Sequence, residues 1–295
     1  MKKNSPFLLL VLVLLSLAGY LFIFSLLDPS KQRLIFGKPA GRPFSKKETA
    51  LKLEEMEKFW ETLANRHISE SGEVSYQAFL KRKNQLDQLF DQYISRFSLD
   101  LFNQGQKKSF LINVYNILTI RAMLNFYPLK SVLDQVDRTR IGFHFWKDTY
   151  AKIGNEILSL EEIEHEHLRK MSDPRIHFAI VCGAKSCPKL LNSSYRSQEI
   201  EQQLQQQAND FFSRENHFKI DHELETVLLS KLLKWFREDF GNTNQEILAR
   251  IGTYLTPNEK EKLQTPLTNY EIHGYLNYDW ALNDWKESKL SQGTD

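Results

Sequence analysis

Cysteine is nearly missing from this sequence. Cys182 and Cys187 are the only two in 295 residues. Their five-residue separation is not the C-x-x-C spacing of thioredoxin-like redox sites, and their own window holds too few further ligands for a metal clip. A surplus of one charge is missing too: 39 Lys and Arg stand against 37 Asp and Glu, a net +2, so nothing points to nucleic acid. No internal repeat is visible. In EIEHEHLR the two histidines are two apart rather than four, so on a helix they diverge and the pattern is not that of a zinc protease. No metal site and no cofactor is expected.

Long apolar runs are also absent, with one exception. FLLLVLVLLSLAGYLFIFSLL, Phe7 to Leu27, carries no charge and is long enough to cross a hydrocarbon core of about 30 Å. It continues past the small residues Ser16 and Ala18, so an uncleaved anchor is expected rather than a cleaved signal. Lys2 and Lys3 before it argue for export of residues 28–295, while Lys31, Arg33, Lys38, Arg42, Lys46 and Lys47 after it argue against. An exported domain behind a single membrane pass is the reading adopted. The expected layout is a basic tail 1–6, anchor 7–27, tether 28–47, globular domain 48–286 and loose terminus 287–295. The tether assignment rests on three of the nine prolines and a basic excess.

Helical periodicity dominates the first half, over 48–65 and Tyr76–Phe90. Phe110 to Leu124 is apolar nearly all round, so this helix should be central and buried. TYAKIGNEILSL reads as a hairpin around Gly154-Asn155, after which Ser159 caps a helix to about Lys170. Arg175 to Cys182 reads as a short buried strand, and HFKIDHELETVLLS as a second hairpin. Helices are expected around 197–212, 231–240, 243–255 and 257–264, and GYLNYDWALN as a last strand. The sum is an α+β fold, a helix-rich single domain with a small antiparallel sheet.

Polar residues interrupt these apolar patterns at three places. Asn113 and Asn116 share one face of the central helix, as fasteners of a neighbouring loop or as amides that orient an imidazole or bind a substrate carbonyl. Glu164 lies on the inward face of its helix with Leu160 and Leu168, where burial should raise its pKa unless it gains a partner. His167 shares that face, and His165 should be solvated with Glu161. The third place is HFAIVCGAKSCPKL. Gly183 permits a positive-φ turn, and Pro188 suits the first position of a helix. Cys187 would then cap that helix, where the dipole lowers a thiol pKa. A Cys182–Cys187 disulfide and a nucleophilic thiol assisted by His177 are both open readings.

The blocks INVYN, SLEEIEHEHLR, DPRIHFAIVCGAKSCPKL, LKWFREDFG and YDWALN, in that order, resemble the bacterial and plant family catalogued as domain of unknown function 547, over about 70–284. The matching positions are Asn113, Tyr115, Asn116, Glu164, Arg175, His177, Cys182, Gly183, Ser186, Pro188, Asp279, Trp280 and Asn283. The family's double glycine in the hairpin is Gly154-Asn155 here. Plant members can carry another small residue where Cys187 stands, which favours Cys182 as the shared thiol, against the capping argument for Cys187.

These readings lead to a membrane-anchored cell-envelope hydrolase or acyl-transfer enzyme of the cysteine type. Cys182 or Cys187 would attack an amide or ester, His177 would carry the proton, and Glu164 or Asn116 would orient the ring. Asn113, Arg175, Ser186, Asp279 and Asn283 are the candidate substrate contacts. The alternative is a non-catalytic envelope module that binds a protein or glycan, with a structural Cys182–Cys187 disulfide.

Overall fold

The computed structural model describes residues 33–135, 144–263 and 265–285. The anchor Phe7–Leu27 and the terminus 287–295 lie outside them, and among the described residues no helix is long and apolar enough to cross a membrane. The fold is α+β and rich in helix.

The central helix, Gln104–Met123, is buried without interruption from Lys108 onward. It has no polar face because other elements surround it. Asn103 starts it with a capping box, accepting from the Gln106 N–H while the Gln106 side chain accepts from the Asn103 N–H. The opening helix Lys46–His67 packs Met56, Trp60 and Leu63 inward and begins with a second capping box between Ser45 and Glu48. The Tyr76–Phe90 helix is real but breaks at Arg82 into Tyr76–Lys81 and Lys83–Gln88.

The tether is shorter than expected. Strand β1 (Leu34–Phe36) pairs in parallel with β2 (Thr149–Ile153). Phe44 is buried against Phe97, ring centroids 4.9 Å apart, and Lys38 N–H donates to Asp91 Oδ1 at 2.6 Å. Two buried aromatic anchors, Phe36 and Phe44, outweigh the proline and basic composition that suggested a loose segment.

Among the described residues the single antiparallel sheet becomes two mixed sheets of three strands. In each, a hairpin supplies the antiparallel pair and a distant segment adds in parallel. β2 and β3 (Glu156–Ser159) form the first hairpin, Ile153 facing Glu156. β4 (Phe218–Asp221) and β5 (Thr226–Leu229) form the second, and β6 (Glu271–Tyr275) pairs in parallel with β5. Hairpins are visible locally in sequence; parallel partners from distant segments are not.

Gly154 turns the first hairpin at φ +58°, where an added Cβ would stand 2.4 Å from the Phe97 carbonyl oxygen. Gly154→Ala is therefore expected to cost about 2 kcal/mol in urea unfolding, whereas Asn155→Gly should be nearly neutral. Equal effects would show that the close approach to Phe97 is not what selects glycine.

Two apolar cores lie side by side. One surrounds the central helix; the other is built around Phe211, Phe212, Phe240, Ile251 and Tyr254. The segment 174–182 passes between them, with Ile176 and Ala179 in the first and Phe178 in the second. It is not the expected strand. Pro174 to Phe178 form a 3-10 helix, started by proline and capped by Asp173 Oδ1, which accepts from the Arg175 N–H. Ala179 to Cys182 run on with no strand beside them. The helix expected after Cys187 is absent as well, and with it the capping argument for a low thiol pKa.

The last described stretch is a lace rather than a strand. Ala281, Leu282 and Asp284 make single bridges to Ser131, Ala184 and Val74.

Candidate functional site

Buried backbone must find hydrogen-bond partners, and the irregular run from Ala179 to Tyr195 finds them in side-chain amides. Asn116 donates through Nδ2 to the Ala179 carbonyl at 2.9 Å and accepts through Oδ1 from the Val181 N–H at 3.0 Å. Asn113 does the same for one residue, donating to the Tyr195 carbonyl at 2.8 Å and accepting from its N–H at 2.9 Å. Gln207 donates to the Lys189 carbonyl and Gln203 to that of Ser194. The two asparagines are 0% and 2% exposed and serve as the backbone fasteners that the sequence allowed.

This clamped run forms one wall of a cleft of about 270 Å³. Opposite it stands the helical segment from Leu160 to Met171, capped by Ser159 as expected, with Glu162 completing a capping box. From Ile163 to Leu168 it widens into a π turn, a deformation frequent at functional sites. The wider turn rotates the faces, so His165 and Glu161 also reach the cleft.

Glu164, His177, Cys182 and Cys187 all line this cleft. The His177 ring is 1% exposed and stacks on Phe236 with centroids 4.0 Å apart. Its Nε2 lies 2.6 Å from Asp239 Oδ2, and Arg169 grips the same carboxylate with Nε at 2.7 Å and Nη2 at 2.8 Å. Burial opposes ionisation of Asp239, but the hydrogen bonds from His177 and Arg169 prevail and hold its carboxyl well below the usual range. Burial also pushes the His177 imidazole down, against the pull of Asp239. The neutral ring therefore donates Nε2–H to Asp239 and turns the Nδ1 lone pair toward Glu164 Oε1, 3.9 Å away.

That gap is too long for a direct hydrogen bond. Glu164 instead accepts from the Tyr115 hydroxyl at 3.2 Å through Oε2. Burial drives its pKa up to about 7, with the Tyr115 bond opposing. A carboxyl in this state can give or take a proton at neutral pH.

The two sulfurs are joined to each other, with Cα atoms 6.3 Å apart. Tyr278 covers them, its hydroxyl 3.4 Å from Cys187 Sγ and 3.5 Å from Cys182 Sγ. Gly183, at φ +84°, makes the corner that the bridge spans. Tyr278 belongs to an aromatic rim with Trp235 and Trp280, centroids 4.8 and 4.5 Å from it. Trp235 is 47% exposed.

The remaining candidates lie elsewhere. Arg175 is held by Asp173 and Glu201, beside the Lys108–Asp173 ion pair. Ser186, Asp279 and Asn283 tie the terminal lace to the cysteine loop: Ser186 Oγ accepts from the Asp279 N–H at 2.8 Å, and the Asn283 N–H donates to the Gly183 carbonyl at 2.9 Å. They border a separate polar depression that touches Cys187 from its other side.

Sequence reasoning gave no role to Asp239, Arg169, Trp235, Phe236 or Tyr278, nor to Trp146, which also lines the cleft. For Asp239 a signal existed: LKWFREDFG puts an acidic residue between aromatics on a short helix. The rim aromatics gave none, because an aromatic that packs inward and one that borders a cleft look alike in sequence.

Among curated proteins and among solved structures, none matches this chain. The family model described as "Protein of unknown function, DUF547" matches residues 99–212. That span carries the central helix, the first hairpin, Glu164, His177 and both cysteines, and over it the resemblance to the domain of unknown function 547 family holds.

Proposed function

We propose that this chain is a membrane-anchored, exported recognition domain whose cleft takes a saccharide ring of an envelope glycan. The carrying observation is the pairing of an aromatic rim, Trp235, Tyr278 and Trp280, with a buried carboxyl at Glu164. A mostly apolar hollow with a few fixed polar groups is the usual form of a small-ligand site, and a pyranose offers a flat C–H face for the rings and hydroxyls for the carboxyl. The anchor is Phe7–Leu27, with Lys2 and Lys3 on the inner side.

Titration of the full chain in detergent with N-acetylglucosamine oligomers, followed by tryptophan fluorescence, tests this. A saturable change that weakens at least tenfold in Trp235→Ala is expected. No response to any saccharide, or an undiminished one in Trp235→Ala, would sink it.

One observation favours a second reading, hydrolysis of an amide or ester. Glu164 titrates near neutrality in the same cleft as His177, which suits proton transfer. With the sulfurs joined, the thiol-nucleophile version requires the reduced protein, and Glu164 is the group available in the oxidised one.

A further inference from the structure

The bridge at the cleft wall is chemically lopsided. Cys187 Sγ accepts from two donors, the Cys182 backbone N–H at 2.9 Å and the Tyr278 hydroxyl at 3.4 Å. Among the described residues Cys182 Sγ has only that same hydroxyl, at 3.5 Å. Exposure runs the other way, for Cys187 is 7% exposed and Cys182 more so. Burial keeps the Tyr278 phenol protonated, so it remains a donor.

In thiol–disulfide exchange an incoming thiolate bonds to one sulfur while the other leaves as thiolate, and donors aimed at the leaving sulfur speed the step. We propose that the Cys182–Cys187 bridge is an exchange-competent disulfide facing the cleft, in which Cys182 is attacked and Cys187 leaves. The substrate class is a thiol, and for full reduction of the bridge a dithiol.

A thiolate RS⁻ forms an S–S bond to Cys182 Sγ as the Cys182–Cys187 bond breaks. The electron pair goes to Cys187 Sγ, held by the Cys182 N–H and the Tyr278 hydroxyl until it takes a proton from water. The second thiolate of the dithiol then attacks its own sulfur in the mixed disulfide and releases Cys182 as thiolate. Two electrons pass from the dithiol, which ends as a disulfide, to the cysteine pair. The spacing is not C-x-x-C, but exchange requires an accessible sulfur and a stabilised leaving group rather than a particular loop length.

The test uses the full oxidised chain in detergent, without saccharide, so it stands or falls apart from glycan recognition. Glutathione is added, samples are quenched at early times with N-ethylmaleimide, and trypsin is used to cleave after Lys185, which separates Cys182 from Cys187. Glutathione on the Cys182 peptide and maleimide on the Cys187 peptide are expected. Under dithiothreitol, Tyr278→Phe, which keeps the ring, should open the bridge five- to tenfold more slowly. Glutathione mainly on Cys187, or a bridge that millimolar dithiothreitol opens only after denaturation, would overturn the proposal.

Discussion

Replacing Asn116 with alanine is expected to destabilise the chain by about 4 kcal/mol. The substitution orphans two buried backbone groups at once, the Ala179 carbonyl and the Val181 N–H. Each unsatisfied group costs roughly 1–3 kcal/mol, and the vacated amide leaves a small void beside them. Asn116→Asp separates the contributions, since the carboxylate still accepts from Val181 while the carbonyl of Ala179 loses its donor. Its cost should exceed that of the alanine variant if the acid is ionised, because a buried charge is added. Urea midpoints with unchanged slopes would measure both effects. A loss under about 1 kcal/mol for Asn116→Ala, below the cost of even one orphaned group, would mean that the cleft wall holds its path without the clamp.

Glu164→Gln is expected to stabilise the chain by about 3 kcal/mol at pH 8 and to leave it nearly unchanged at pH 4.5. Burial raises this carboxyl from its ordinary 4.5 to about 7. Between those values the folded chain keeps a proton that the unfolded chain has released, so stability falls as pH rises through the window. A shift of that size corresponds to about 3 kcal/mol. Glutamine stays neutral throughout and its amide oxygen can still accept from Tyr115. Glu57, raised to about 7 by burial, adds a loss in the same direction. His67 and His217, lowered to about 4 by burial, oppose it, because a histidine buried neutral gains stability as pH rises past 4. These contributions cancel when the two proteins are compared at each pH. A difference that does not change between pH 4.5 and 8 would show that Glu164 does not titrate as its burial implies.

What could be read in the sequence was whatever is enforced within a few residues. Ser159 with Glu162, and Gly154 with Asn155, each fix a local geometry by steric and hydrogen-bonding rules, and the structure obeys them. The inward turn of Glu164 followed from its spacing to Leu160 and Leu168. The path from Arg175 to Cys182 was misread because apolar alternation says only that a chain is buried, not what pairs with it. Here the partner is an amide 65 positions earlier than Val181, and no periodicity encodes that. The meeting of Asp239 and His177, 62 positions apart, was hidden for the same reason. Of the cleft, the groups on its clamped wall were named in advance, while the rim from Trp235 and Tyr278 came only with the tertiary fold.

The terminal lace has a consequence for biosynthesis. Tyr278 roofs the sulfur pair, the Asp279 and Ala281 carbonyls accept from Ser186 and Lys185, and the Asn283 carbonyl accepts from Val74. They bind segments made long before them in the chain. The cleft therefore gains its roof only after Tyr278 has been made and released, and a message cut short before Tyr278 yields a product whose sulfur pair stays unroofed.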